Sequence, residues 1–180
     1  MGKKKISSAN AELEFALLSA EAGAFTDTDF FHWLRESGLS AEAALRLKVL
    51  IEATTVIKGQ VVNIGKLIVM KLIEFVNEHK NLAIGVALGA GIGVLIASVP
   101  LIGPLLSPIA TVIGISIGAF AGHRLDLEVA GTAAVRSGKP IDIGQDLIEI
   151  ARAFFTLLVD IFNIVLTGAI NLQGSHEKES

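Results

Sequence analysis

The sequence predicts an all-α integral membrane protein built on a Gly/Ala-ladder helical hairpin, with amphipathic helices on either side. Three observations predict it. Asn81 through Gly122 form forty-two consecutive residues without a formal charge, bracketed by Glu78, His79 and Lys80 before and by His123 and Arg124 after. Inside the run small residues recur every four positions, at Gly85, Gly89, Gly93 and Ala97 and again at Ala110, Gly114, Gly118 and Gly122. Hydrophobic residues make up 52 % of the chain and charged residues 18 %, and mean hydropathy is +0.63, all shifted toward membrane proteins from an average soluble domain.

A hydrocarbon core about 30 Å thick takes roughly 20 apolar residues of helix, so the uncharged run is long enough for two crossings and a turn. Each Gly in a soluble helix interior costs roughly 0.8–1 kcal/mol relative to Ala, so six in register need something to offset them. Between lipid tails there is no hydrophobic drive for helix pairing, and small residues four apart let two backbones approach closely. The ladders therefore predict helices that zip together within one chain, between chains, or both. The alternative is a buried Gly/Ala-rich pair inside a soluble fold, for which 180 residues leave little covering material. Gly89, Gly91 and Gly93 lack the preceding strand and following acidic residue of a nucleotide loop. Between the ladders, Pro100, Gly103, Pro104 and Pro108 are expected to end both helices and shape a tight turn. The arms, Leu82–Val99 and Leu105–Gly122, have 18 residues each, about 27 Å of helix, which suits either a spanning or a re-entrant hairpin.

Residues 1–58 read as an N-terminal helical region. Ala11–Ala22 has a helical pattern closed by Gly23, Thr26 to Asp29 offer caps for Phe30–Glu36, Gly38 ends that helix, and Ser40 caps the next, Ala41 to about Lys58. An amphipathic helix follows over residues 59–80, with Gln60, Asn63, Lys66, Lys71, Glu74, Asn77 and Glu78 on one face. It suits a membrane interface or the core of an N-terminal bundle equally. After the hairpin at 81–122, residues 123–141 form a linker containing Gly131, Gly138 and Pro140. A long amphipathic helix is expected over 142–172 and a flexible tail over 173–180. The basic start, Lys3 to Lys5, has no apolar run behind it and is not a signal peptide. Ile6 stands where a myristoylation signal wants Ser or Thr.

In the long helix the polar residues Glu149, Arg152, Thr156, Asp160, Asn163 and Thr167 continue a stripe begun by Asp142, Gln145 and Asp146. At 100° per residue they fall within a stripe roughly 120° wide. Three arrangements suit it: the wall of a water-filled path made by several copies, a solvated face of a packed bundle, or a helix lying flat in the interface. The last usually carries several Lys or Arg on the polar face, and here Arg152 stands alone against Asp142, Asp146, Glu149 and Asp160. Charges at the centre of a membrane helix cost about 2.5–3.5 kcal/mol each against lipid, so these would need a lumen or partners. Glu149 and Arg152, three apart, can pair, which leaves Asp160 as an acidic ring residue favouring cations.

Nothing argues for an enzyme: no catalytic, cofactor-binding or metal-ligating residues emerge. There are no cysteines, and His32, His79, His123 and His176 are scattered without ligand spacing. Gly59 to Leu67 misses the phosphate-loop pattern by one residue and lacks Ser or Thr after Lys66. A net charge of −3 gives no basis for a nucleic-acid partner.

Residues 82–122 resemble glycine-zipper two-helix membrane segments, found in bacterial membrane proteins and in secreted antibacterial toxins. A Gly/Ala-rich apolar hairpin flanked by amphipathic helices also resembles colicin-type pore-forming domains. More than fifty residues follow the hairpin here, including another long helix, which departs from the colicin arrangement. The resemblance implies insertion into lipid and homo-oligomeric pore formation, without a cofactor. The expected function is thus an oligomeric pore that conducts ions or permeabilises a membrane, with membrane lipid as partner and the N-terminal region cytoplasmic. The alternative is a non-conducting membrane-anchored scaffold or subunit that binds protein partners through its N-terminal helices or shapes the bilayer. A soluble bundle that hides the hairpin until it meets a membrane is a third form.

Overall fold

A computed structural model describes residues 5–113 and 143–176, with side chains described over 5–113 and 146–168. The chain is mostly helical, with seven α-helices among the described residues: α1 (Ser8–Ala24), α2 (Asp27–Ser37), α3 (Ala41–Ile51), α4 (Ile64–Glu78), α5 (Ile84–Ser98), α6 (Gly103–Ile113) and α7 (Ile143–His176). A two-stranded antiparallel hairpin, β1 (Thr55–Ile57) and β2 (Gln60–Val62), separates α3 from α4.

Local chemistry fixes the N-terminal boundaries. Ser7 Oγ accepts from the Asn10 N–H at 3.2 Å and starts α1. Thr26 and Asp29 form a capping box at α2: Thr26 Oγ1 accepts from the Asp29 N–H at 3.1 Å, and Asp29 Oδ2 accepts from the Thr26 N–H at 3.0 Å. The Thr26 hydroxyl also donates to Asp29, and these bonds hold the Asp29 carboxyl below its ordinary value of 3.8, with a smaller contribution from His32. Gly38 ends α2 in the left-handed region at φ 69°, and Ser40 Oγ caps α3.

The sequence reading carried the third helix to about Lys58; α3 stops at Ile51 instead. Lys58 and Gly59 take φ 51° and 78°, the pair of positive values that a tight primed hairpin turn needs. The amphipathic helix expected from residue 59 accordingly begins at Ile64, capped by Asn63 Oδ1 accepting from the Lys66 N–H at 2.9 Å. Its buried face includes Leu67, Ile68, Leu72 and Phe75, and Lys71 ion-pairs with Glu74 at 2.6 Å on the other side.

α5 occupies the middle of the bundle, against α4, α6 and α7. α1 lies on α4 and α7, while α3 lies on α4 and α6. No polar or charged residue is buried among the described residues. Contact between α4 and α7 is aromatic, where Phe75 meets Phe154 and Phe155 at ring-centroid distances of 5.1 and 5.4 Å. Phe15 of α1 meets Phe162 of α7 edge-on at 6.3 Å.

The segment between α5 and α6 differs from a tight reversal. Pro100–Ile102 forms a single 3-10 turn, Gly103 opens α6, Pro104 sits in its first turn and Pro108 lies within it. A first-turn proline loses no intrahelical bond because that N–H is free anyway. Around Pro108 the Ser107 hydroxyl donates to the Gly103 carbonyl at 2.8 Å and Thr111 to the Ser107 carbonyl at 3.0 Å. The α5 and α6 axes turn through 118°, an open elbow rather than two antiparallel arms. Residues 114–122, and with them Gly114, Gly118 and Gly122, lie outside the described residues, as does the expected linker. α7 runs on through His176, past the expected end of the long helix.

Candidate functional site: the covered apolar helix and the polar stripe

Nine consecutive residues of α5, Ala87 to Leu95, are buried. A helix covered on every side must be apolar all round, and α5 carries no charge along its length. The ladder positions on it do not share one environment. Gly89 and Gly93 are buried, Gly85 is half-buried and Ala97 is exposed. A Cβ added at Gly85 would meet nothing within 4 Å. On α6, Ala110 is fully buried.

A glycine off the ladder, Gly91, marks a close approach on α5. A Cβ at Gly91 would stand 2.9 Å from Leu72 Cδ2 and 3.0 Å from Phe155 Cε2. Gly91 is thus where α4 and α7 both close onto α5. Spacing alone did not single it out, because it sits two residues from each of two ladder glycines; its signal is the three-dimensional approach of a bulky pair, Leu72 and Phe155, both wholly buried. A second close approach is at Gly65, where a Cβ would fall 1.7 Å from the Leu50 carbonyl oxygen.

On α7, Glu149, Arg152, Asp160 and Thr167 are exposed, while Thr156 and Asn163 are half-buried. Four of the six stripe residues are thus exposed in the bundle. Among the described residues no ion pair joins Glu149 to Arg152; Glu12 pairs with Lys58 and Lys71 with Glu74, and the His32 ring lies 3.5 Å from the Glu36 carboxylate. The Thr156 hydroxyl donates to the Arg152 carbonyl at 2.5 Å. Asn163 does something the stripe did not foretell. Its Nδ2 donates to the Ser98 carbonyl at 3.0 Å, across 65 residues of sequence. The last carbonyls of a helix have no intrahelical partner, so Asn163 satisfies the C-terminal end of α5 and ties it to the middle of α7. Apolar Ile150 and Leu157 border the stripe and are 44 % and 51 % exposed, so the solvent face of α7 is only partly polar.

One described helix, α7 over Asp146–Gly168, is long and apolar enough to cross a membrane, and α5 with α6 makes a second, bent candidate. Among the described residues no group of three or more metal-binding side chains occurs. His79 is half-buried at the end of α4, its ring 4.4 Å from Phe75 and its Nδ1 2.8 Å from the Phe75 carbonyl. Comparison with protein families, with curated proteins and with solved structures finds no match.

Proposed function

We propose that this chain is a membrane-inserting protein that forms an oligomeric pore or otherwise permeabilises a bilayer, and that the bundle described here is its covered form. The observation that carries this reading is the uncharged helix α5 buried from Ala87 to Leu95 beneath more polar helices. Joined through the elbow to α6, it supplies an apolar unit that lipid would accommodate. The stripe Glu149, Arg152, Thr156, Asp160, Asn163 and Thr167 would then line a water-filled path between copies, with Asp160 biasing it toward cations. Gly85, Gly89, Gly93 and Ala97, with Ala110, Gly114, Gly118 and Gly122, are the proposed packing surface between inserted helices. The N-terminal part and both ends of the apolar unit would face the cytoplasm, following Lys66, Lys71, Lys80 and Arg124.

Asp160 gives a clean test because it is exposed, so its replacement leaves the bundle undisturbed. Purified wild type and Asp160→Lys are reconstituted into planar bilayers. Discrete conductance steps are expected, with a cation preference that falls or reverses in the variant. Silent bilayers, with insertion independently confirmed, overturn the pore.

The scaffold reading has its own support in two exposed pairs on the N-terminal helices. Leu13 and Leu17 on α1 are 59 % and 57 % exposed, and Leu45 and Val49 on α3 are 58 % and 60 %. Spaced four apart, each pair presents an apolar spot on one helix face, suited to a protein partner. Loss of a co-purifying partner on Leu13→Ser with Leu17→Ser, alongside silent bilayers, would favour this reading.

A further inference from the structure

The outer face of α7 carries an apolar seam beside its polar stripe. Ile150, Ala153 and Leu157 are all exposed, at spacings of three and four that keep them on one side of the helix. Ile150 and Leu157 are bulky, while Ala153 between them is small enough to let another helix come close. Asp160 continues the seam one step further and Arg152 borders it, both exposed. Among the described residues neither of these two charges takes part in an ion pair. They are eight residues apart, about 12 Å along the axis, too far to meet within one helix.

The charges decide what suits this seam. A helix lying on lipid headgroups usually carries several Lys or Arg, whereas here Arg152 stands against Asp146, Glu149 and Asp160. A second α7 running parallel would set each of those acids against its own copy. An antiparallel copy does the reverse. Aligned about residue 156, midway between 152 and 160, it brings Arg152 of each chain level with Asp160 of the other. A twofold axis makes that pairing reciprocal, as a self-complementary interface requires. The same register sets Asp146 and Glu149 level with Leu166 and Asn163, inside the uncharged stretch Ile161–Gly168.

We propose that two copies of the covered form associate through an antiparallel α7–α7 contact, with Leu157 near the twofold axis and reciprocal Arg152–Asp160 pairs beside it. One helix face is a small interface, so the dimer is weak and concentration-dependent. The face is the one assigned above to a path between inserted copies, but this contact forms in water without a bilayer. Dimer and pore are therefore tested apart, and either stands without the other.

Sedimentation velocity of the full-length protein in detergent-free buffer, over about 2–200 μM, should show a reversible monomer–dimer equilibrium. Arg152→Asp and Asp160→Arg each turn both reciprocal pairs into repulsions and should weaken the dimer about ten-fold. Mixed in equal amounts, the two variants should recover wild-type affinity, because each supplies the sign the other lacks. The chain has no cysteines, so single substitutions report orientation under mild oxidation. Leu157→Cys, about 3 Å from its copy along the axis, should form a disulfide dimer, and Ile150→Cys, about 18 Å from its copy, should not. All four positions are exposed, and each variant should keep the native circular dichroism spectrum. A protein that stays monomeric throughout would overturn the dimer. Charge variants that dimerise like the wild type, or a mixture that gains nothing, would overturn the reciprocal pairing. Cross-linking at 150 as readily as at 157 would overturn the antiparallel register. Should a charge variant lose its native spectrum, the two cysteine variants, which keep the native charges, decide.

Discussion

Gly65→Ala should loosen the junction of α3 and α4. The added methyl carbon would lie 1.7 Å from the Leu50 carbonyl oxygen and 2.9 Å from its carbon. Both are main-chain atoms, so no change of rotamer relieves the overlap, and the two helices must move apart. That movement also stretches the Gly65 N–H bond to the Ala53 carbonyl, 2.9 Å in the native chain. Overpacking of this kind costs about 1–3 kcal/mol, and a weakened buried hydrogen bond adds about 1 kcal/mol. Alanine's better helix propensity returns at most about 1 kcal/mol. The net destabilisation is roughly 1–3 kcal/mol, equivalent to a Tm lower by about 2–12 °C for a chain of this size. Thermal unfolding followed by circular dichroism reads it directly. Gly85→Ala is the internal control: nothing lies within 4 Å of its added Cβ, and it should gain a few tenths of a kcal/mol through propensity alone. A Gly65→Ala protein that melts with the wild type would refute the close approach of α3 and α4.

Two further outcomes follow from the bonds at helix ends. Asn163→Leu removes the donor to the Ser98 carbonyl and should cost about 1 kcal/mol. Vesicle dye release should also quicken in that variant if covering α5 restrains insertion; an unchanged melting curve would show that the bond contributes nothing. Thr26→Ala deletes the α2 cap and should lower stability by about 1 kcal/mol, checked by the same melts. The capping box also carries a pH dependence. Because folding lowers the Asp29 pKa from 3.8, its contribution is fully present above that value and fades as pH falls through the lower folded value. The stability difference between wild type and Asp29→Asn should therefore be flat from neutral pH down to about 4 and shrink below it. A difference that grows on acidification would contradict the sign.

Much of the fold was legible where one side chain decides one boundary. Thr26, Gly38 and Ser40 were read from sequence because a cap or a left-handed glycine acts over three or four residues. The periodicity of α4 and α7 was legible for a different reason, since an amphipathic face repeats over many turns. The hairpin was not. Its strands have three residues each, too few for alternation to register, and Lys58 rather than Asn or Asp fills the first turn position. The prolines misled differently: Pro104 and Pro108 read as breakers, but a proline near a helix start gives up little, and Ser107 and Thr111 occupy neighbouring carbonyls. Of the candidate site, the stripe on α7 could be read, while the attachment of Asn163 to Ser98 could not. No local rule connects a residue on one helix with the carbonyl at the end of another.

Among the described residues, no ion pair anchors α5, and its side-chain hydrogen bond to another helix is the one from Asn163 to Ser98. What otherwise holds it is contact among alkyl and aromatic groups, which has no direction and no preferred chemical partner. Fatty acyl chains offer the same contact. In the insertion we propose, α5 would exchange one apolar surrounding for another without separating any charge, so its own solvation would change little. The balance would rest with the surfaces left behind: Leu72 and Phe155, which meet Gly91, would need new cover at about 25 cal/mol for every Å² exposed to water. Substitutions that tune such a transition should therefore be sought on the faces of α4 and α7 that α5 vacates, more than on α5 itself.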